Sequence, residues 1–210
     1  MNHRETFDAA FARCPLIAIL RGVRPDEVEA IGEELVAAGF TIIEVPMNSP
    51  EPLDSIARLA KGLAGRAVVG AGTVLTVDAV AAVQDAGGTV VIAPNADTAV
   101  IAEAARRGLV ALPGIATPTE AFAALAAGAA ALKLFPAEAA SPAVLKAMRA
   151  VLPAGTRVLP VGGIAPDTMT PWQAAGAAGF GLGSALYSVG LDAAAVRSRA
   201  DAFIAALAAS

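Results

Sequence analysis

Short apolar runs alternate with longer amphipathic stretches along the whole chain. The runs at 16–20, 41–45, 67–71, 89–93, 109–112, 130–134, 157–161 and 179–182 predict strands. Short runs that are nearly continuous in apolar residues, such as Ile42-Ile43, Val68-Val69 and Val90-Val91-Ile92, suit strands covered on both faces. Between them a helical period predicts helices at 25–38, 50–63, 77–86, 96–107, 118–127, 142–151, 171–175 and 191–208. A leading helix at 2–13 carries Phe7, Ala10 and Phe11 on one stripe. Pro25 reads as a first helical residue and Gly39 as a C-terminal stop. Strand starts fall roughly 23 residues apart, room for one strand, one helix and two short loops. Eight such units predict an α/β chain closed into a parallel (β/α)8 TIM barrel. The expected organisation is a single domain over 1–210, with residues 1–14 as an extra N-terminal helix capping the barrel. An open doubly wound sheet is the rival, but it needs a Gly-rich dinucleotide turn after an early strand. The first turn, Arg21-Gly22-Val23-Arg24-Pro25, is not one.

Composition narrows the function classes. With 210 residues and 56% hydrophobic content the chain can bury one sizeable core. No apolar run reaches the ~18 continuous residues of a membrane span, and residues 1–13 are too charged for a signal peptide, so a soluble cytoplasmic protein is expected, with no membrane partner. A net charge of −4 and 4% aromatic residues leave neither a basic footprint nor stacking platforms for nucleic acid. Cys14 is the single cysteine and reads as a small buried apolar residue. With His3 as the one histidine, the His-rich sites usual for zinc cannot be assembled, so neither a metal nor another cofactor is expected.

One apolar run carries a charge in its middle: Ala130-Ala131-Leu132-Lys133-Leu134-Phe135-Pro136. A buried ammonium without a partner is driven toward the neutral amine, which is a nucleophile toward carbonyl carbon and the chemistry of a Schiff-base lysine. The alternative is a strand-end lysine that snorkels to solvent. In a barrel, residues just past each strand's last apolar position emerge at one rim. Those residues are Arg21, Glu44, Gly72-Thr73, Pro94-Asn95, Pro113-Gly114, Lys133 with Phe135, Gly162-Gly163 and Gly183-Ser184. Glu44 stands among aliphatic residues, where desolvation raises a carboxyl pKa and fits it to move protons near neutrality. Its alternative is a structural pairing with Lys133 or Arg21. The glycines at the ends of strands seven and eight offer bare N–H groups where barrels hold phosphate, with Arg21 as a charge partner, or else they only make tight turns.

The segments Leu16-Ile17-Ala18-Ile19-Leu20-Arg21-Gly22, Glu44-Val45-Pro46-Met47-Asn48-Ser49-Pro50, Gly70-Ala71-Gly72-Thr73-Val74-Leu75, Pro94-Asn95, Pro113-Gly114, Leu132-Lys133-Leu134-Phe135-Pro136 and Val161-Gly162-Gly163-Ile164 resemble the family of 2-keto-3-deoxy-6-phospho-sugar-acid aldolases. The match runs through nearly the whole chain in one register. The resemblance implies a homotrimeric class I aldolase yielding pyruvate and D-glyceraldehyde 3-phosphate. Lys133 would form the Schiff base and Glu44 would shuttle protons. Thr73 would bind the pyruvate carboxylate and Phe135 would pack on the substrate, with Arg21, Pro94, Asn48 and Val161 also substrate-binding. Gly162, Gly163, Gly183 and Ser184 would hold phosphate. Asn48 stands where the gluconate branch of the family carries arginine, and Val161 where that branch carries threonine. Both departures match the galactonate branch. The gluconate aldolase, a phosphosugar isomerase or epimerase, and a catalytically silent sugar-phosphate sensor remain as alternatives.

Overall fold

The computed structural model describes residues 2–208. Among them, nine short parallel strands alternate with nine α-helices: β1 Leu16–Ile19, β2 Ile42–Pro46, β3 Val68–Gly72, β4 Val90–Ile92, β5 Val110–Leu112, β6 Gly114–Ile115, β7 Leu132–Leu134, β8 Val158–Pro160 and β9 Phe180–Leu182. The helices are α1 His3–Arg13, α2 Val28–Ala38, α3 Pro52–Gly62, α4 Val77–Asp85, α5 Thr98–Arg106, α6 Pro118–Ala126, α7 Pro142–Arg149, α8 Met169–Ala174 and α9 Ala193–Ala208. The sequence expectation of a closed eight-stranded TIM barrel is corrected here. Six strands form one parallel half-barrel sheet in the order β5-β4-β3-β2-β1-β9, and a separate small sheet runs β6-β7-β8.

The break has a local cause at Pro113, between β5 and β6. A proline has no N–H to donate to a ladder, so pairing stops there and resumes one residue later with β7 as partner. Gly114 passes so close to the Pro94 carbonyl that an added methyl would lie 2.2 Å from its oxygen, which reserves the position for glycine. At the other junction, β8 and β9 are joined by the single bridge Val161↔Gly181.

The strands are buried throughout, and alternate residues face opposite ways, which divides the apolar side chains into two cores. The inner one collects Ile17, Ile42, Val68, Val90, Val110, Ala131 and Leu159 and is sealed at the strands' N-terminal end by Phe7 and Phe11 of α1. Those two rings stack at 5.7 Å, and the Arg157 guanidinium lies 5.0 Å over Phe11 while pairing with Asp8. The Thr41 hydroxyl donates to the Ala10 carbonyl at 2.8 Å, tying α1 to the start of β2. Asn2 and Glu5 form a capping box that starts α1. The outer core lies between strands and helices, with α2 against α9.

Candidate active site

Two residues past each inner-core residue lies the next inward-facing layer, at the strands' C-terminal end. Ile17 leads to Ile19, Ile42 to Glu44, Ala131 to Lys133 and Leu159 to Val161. Register brings Glu44 opposite Ile19 on one side and Gly70 on the other. The layer lines a small void of about 10 Å³ walled by Ile17, Ile19, Ile92, Leu112, Leu159 and Val161 around the two charged groups. Burial is therefore nearly complete, with Lys133 6% and Glu44 2% exposed.

Each group responds as its surroundings require. Burial pushes the Glu44 carboxyl up to about 7, against the opposing fields of Lys133 and Arg21. Burial likewise lowers the Lys133 ammonium, with Glu44 resisting and Arg21 assisting. They act through space: no Lys133–Glu44 salt bridge forms among the described residues, and Glu44 Oε2 is buried with no hydrogen-bond partner. A buried carboxylate oxygen left unpaired awaits a partner that a ligand or a transferred proton can supply. Gly72 keeps the space beside it open, because a methyl on Gly72 would lie 1.8 Å from Glu44 Oε2. Lys133 Nζ sits 4.6 Å from the Phe135 ring centroid, so the ring holds the amine from one side. A lysine with a weakened hold on its proton beside a carboxyl that titrates near 7 can add to a carbonyl and pass protons.

Above this pair opens a cavity of about 250 Å³, whose wall includes Arg21, Lys133, Phe135, Val161, Gly162, Gly163, Gly183 and Ser184. Most of the residues expected from the sequence thus share one wall, and Glu44 lies beneath it. Gly162 and Gly163 have φ of 109° and 64°, a left-handed pair that glycine adopts without cost. Gly163, Ser184 and Ala185 line the cavity, and their N–H groups find no acceptor among the described residues, which leaves them free for a ligand.

Arg21, just past β1 and next to β9, organises the adjoining part of the rim. Its Nη1 donates to Asn48 Oδ1 at 2.7 Å and to Thr73 Oγ1 at 3.5 Å. Thr73 has φ of 55°, unusual for a β-branched residue, and its place directly beyond β3 fits the pattern of strain stored at functional sites. Asn48 and Thr73 reach the cavity through Arg21 and are not part of its wall. Pro94 is also off the wall, its carbonyl packed against Gly114. Sequence reasoning missed Glu138, which lines the cavity from the 3-10 turn Ala137–Ala139. A lone exposed acid in an Ala-rich stretch carries no periodic or motif signal.

A lysine and a carboxyl buried at the C-terminal end of parallel strands, beneath loops with free backbone donors, suit Schiff-base chemistry on a carbonyl substrate, the chemistry of one class of carbon–carbon lyases. The chain belongs to the KDPG and KHG aldolases, whose family model matches residues 7–199. It is 47% identical over 91% of its length to a probable 2-dehydro-3-deoxy-6-phosphogalactonate aldolase of Rhizobium meliloti (strain 1021), covering 91% of that protein. It is 44% identical to the 2-dehydro-3-deoxy-6-phosphogalactonate aldolase of Escherichia coli (strain K12), over 91% of this chain and 94% of the other. Among solved structures, one described as native KDPGal superposes with a TM-score of 0.92 at 43% identity, covering 94% of this chain and 96% of that one. A cube-shaped protein cage designed by fusing symmetric oligomeric domains contains a matching region, with a TM-score of 0.92 at 43% identity over 94% of this chain and 73% of the cage chain.

Proposed function

We propose that the chain is a Schiff-base aldolase that cleaves 2-dehydro-3-deoxy-6-phosphogalactonate to pyruvate and D-glyceraldehyde 3-phosphate in galactonate catabolism. The observation that carries this reading is a buried Lys133, without a salt bridge among the described residues, beside a buried Glu44 whose carboxyl is held at about 7.

Neutral Lys133 Nζ attacks the C2 ketone, and the carbinolamine loses water with a proton supplied by Glu44. The resulting iminium draws in the electrons of the C3–C4 bond as the C4 hydroxyl gives up its proton to Glu44. Glyceraldehyde 3-phosphate departs, Glu44 returns a proton to C3 of the enamine, and hydrolysis frees pyruvate. Arg21 and Thr73 take the carboxylate, and Phe135 supports the Schiff base. The loops bearing Gly162, Gly163, Gly183 and Ser184 hold the phosphate, whose binding far from the breaking bond serves orientation. Val161 offers an apolar wall near C4, which favours the galactonate configuration because no hydroxyl is present there to pair with the gluconate epimer.

The enzyme acts as a homotrimer in the cytoplasm, where phosphorylated sugar acids are retained. Exposed apolar residues support association: Leu75 before α4 and Val77 at its start, Phe122 on α6, Val144 on α7 and Val151 just past it. A region like this chain within a cage made of symmetric oligomeric domains points the same way.

Borohydride reduction in the presence of pyruvate, followed by peptide mass analysis, tests the chemistry. The expected result is an adduct on Lys133, with the adduct and turnover both lost in Lys133→Met, which fills the same space without an amine. An untrapped Lys133, or cleavage by the variant within tenfold of wild type, refutes the Schiff base and leaves an isomerase or a silent sensor.

A further inference from the structure

Glu138 lies where the phosphate is expected. It sits on the turn that follows Pro136, and that turn is fixed to the loop after β8 by the Ala137 N–H donating to the Val161 carbonyl at 2.9 Å. Its side chain lies directly over the glycine pair. A methyl on Gly162 would be 2.1 Å from Glu138 Oε2, and one on Gly163 would be 2.8 Å from Glu138 Cγ. The side chain is exposed and forms no salt bridge or hydrogen bond among the described residues, so nothing but position and charge keeps it there. The cations on the cavity wall are Arg21, just past β1, and Lys133 of β7, and neither pairs with Glu138 among the described residues.

We propose that Glu138 is an internal anion that occupies the glycine cradle in the free enzyme and is displaced by the substrate's phosphate, setting the affinity for phosphorylated substrate and hastening release of the phosphorylated product. The proposal rests on the reading of Gly162, Gly163, Gly183 and Ser184 as phosphate-binding. Glu138 makes no hydrogen bond to the cradle among the described residues, so leaving it breaks none, and an exposed glutamate swings into solvent at the cost of a rotamer change. Like charges brought together near the surface repel modestly, so the device tunes binding and does not block it.

The test compares wild type with Glu138→Gln, which keeps shape and loses charge, and with Glu138→Ala, which empties the cradle. Inhibition by inorganic phosphate is measured at constant ionic strength, with KM and kcat for 2-dehydro-3-deoxygalactonate with and without its 6-phosphate. Both variants are expected to bind phosphate, and to show a KM for the phosphorylated substrate, about three- to tenfold tighter. KM for the unphosphorylated substrate should stay within about twofold, whereas a role in folding alone would move both substrates together. Phosphate inhibition that is unchanged or weaker in both variants overturns the proposal. A wild type that does not distinguish phosphorylated from unphosphorylated substrate removes the cradle itself, an outcome read without any variant.

Discussion

Glu44→Gln separates the cost of burying an ionised carboxylate from the shape of the side chain. The folded protein holds the Glu44 proton to about pH 7, whereas the reference carboxyl releases it at 4.5. Stability from this group is therefore fully present below about 4.5 and is lost as pH rises through 7, the reverse of an ordinary salt-bridged acid. At about 1.4 kcal/mol per pH unit, ionising Glu44 costs the fold about 1 kcal/mol at pH 5 and about 3 kcal/mol at pH 8. Gln is neutral at both. Urea unfolding of both proteins at pH 5, 6, 7 and 8, at one fixed protein concentration, should show the variant gaining about 2 to 3 kcal/mol on wild type across that range. In a Lys133→Met background the gap should widen at the alkaline end, because the one buried cation that favours the Glu44 anion is gone. A difference that stays flat with pH within about 0.5 kcal/mol would mean that Glu44 titrates as a solvated carboxylate, and the proton-shuttle argument would fall with it.

Two further predictions concern the substrate and the assembly. Val161→Thr should shift the ratio of kcat/KM for the galactonate over the gluconate substrate toward gluconate by several-fold to about tenfold, the worth of one hydrogen bond of about 1 kcal/mol; an unmoved ratio removes Val161 as the selector. Light scattering at micromolar concentration should return three times the 20.8 kDa chain mass, and a monomeric value refutes the trimer.

Most of the frame was legible because it depends on local pattern. Each of the eight apolar runs overlaps an observed strand, since a strand buried on both faces is written mostly in apolar residues. The additional strand at Gly114–Ile115 was not, because glycine after proline reads as a turn and only the approach of the Pro94 carbonyl explains it. The same dipeptide divides the sheet in two, a long-range pairing outcome that no period reports. Helix starts slipped where a proline opened a turn first: residues 24–27 precede α2, and Glu51, with φ of 42°, precedes α3. Of the site, Lys133 and Glu44 stood out as charges within apolar strands, which depends on sequence alone. The role of Asn48 did not, because its bond to Arg21 joins residues 27 apart in sequence across two neighbouring strand ends. Glu138 likewise became visible only when the turn folded back over the glycines.

The closeness of Gly72 to Glu44 decides from which direction this pocket can be reshaped. Any side chain introduced at Gly72 meets the carboxylate itself, and Gly70 beside it is closed by the Val90 carbonyl, 2.1 Å from where a methyl would stand. The β3 side of the pocket is thus frozen to mutation. At Gly183, by contrast, an added methyl would have no atom within 4 Å, and Val161, Ile164 and Ala165 line the same open side of the cavity. Libraries that seek new aldehyde acceptors should be built there, where variety in the electrophile can be explored without disturbing the group that moves the proton.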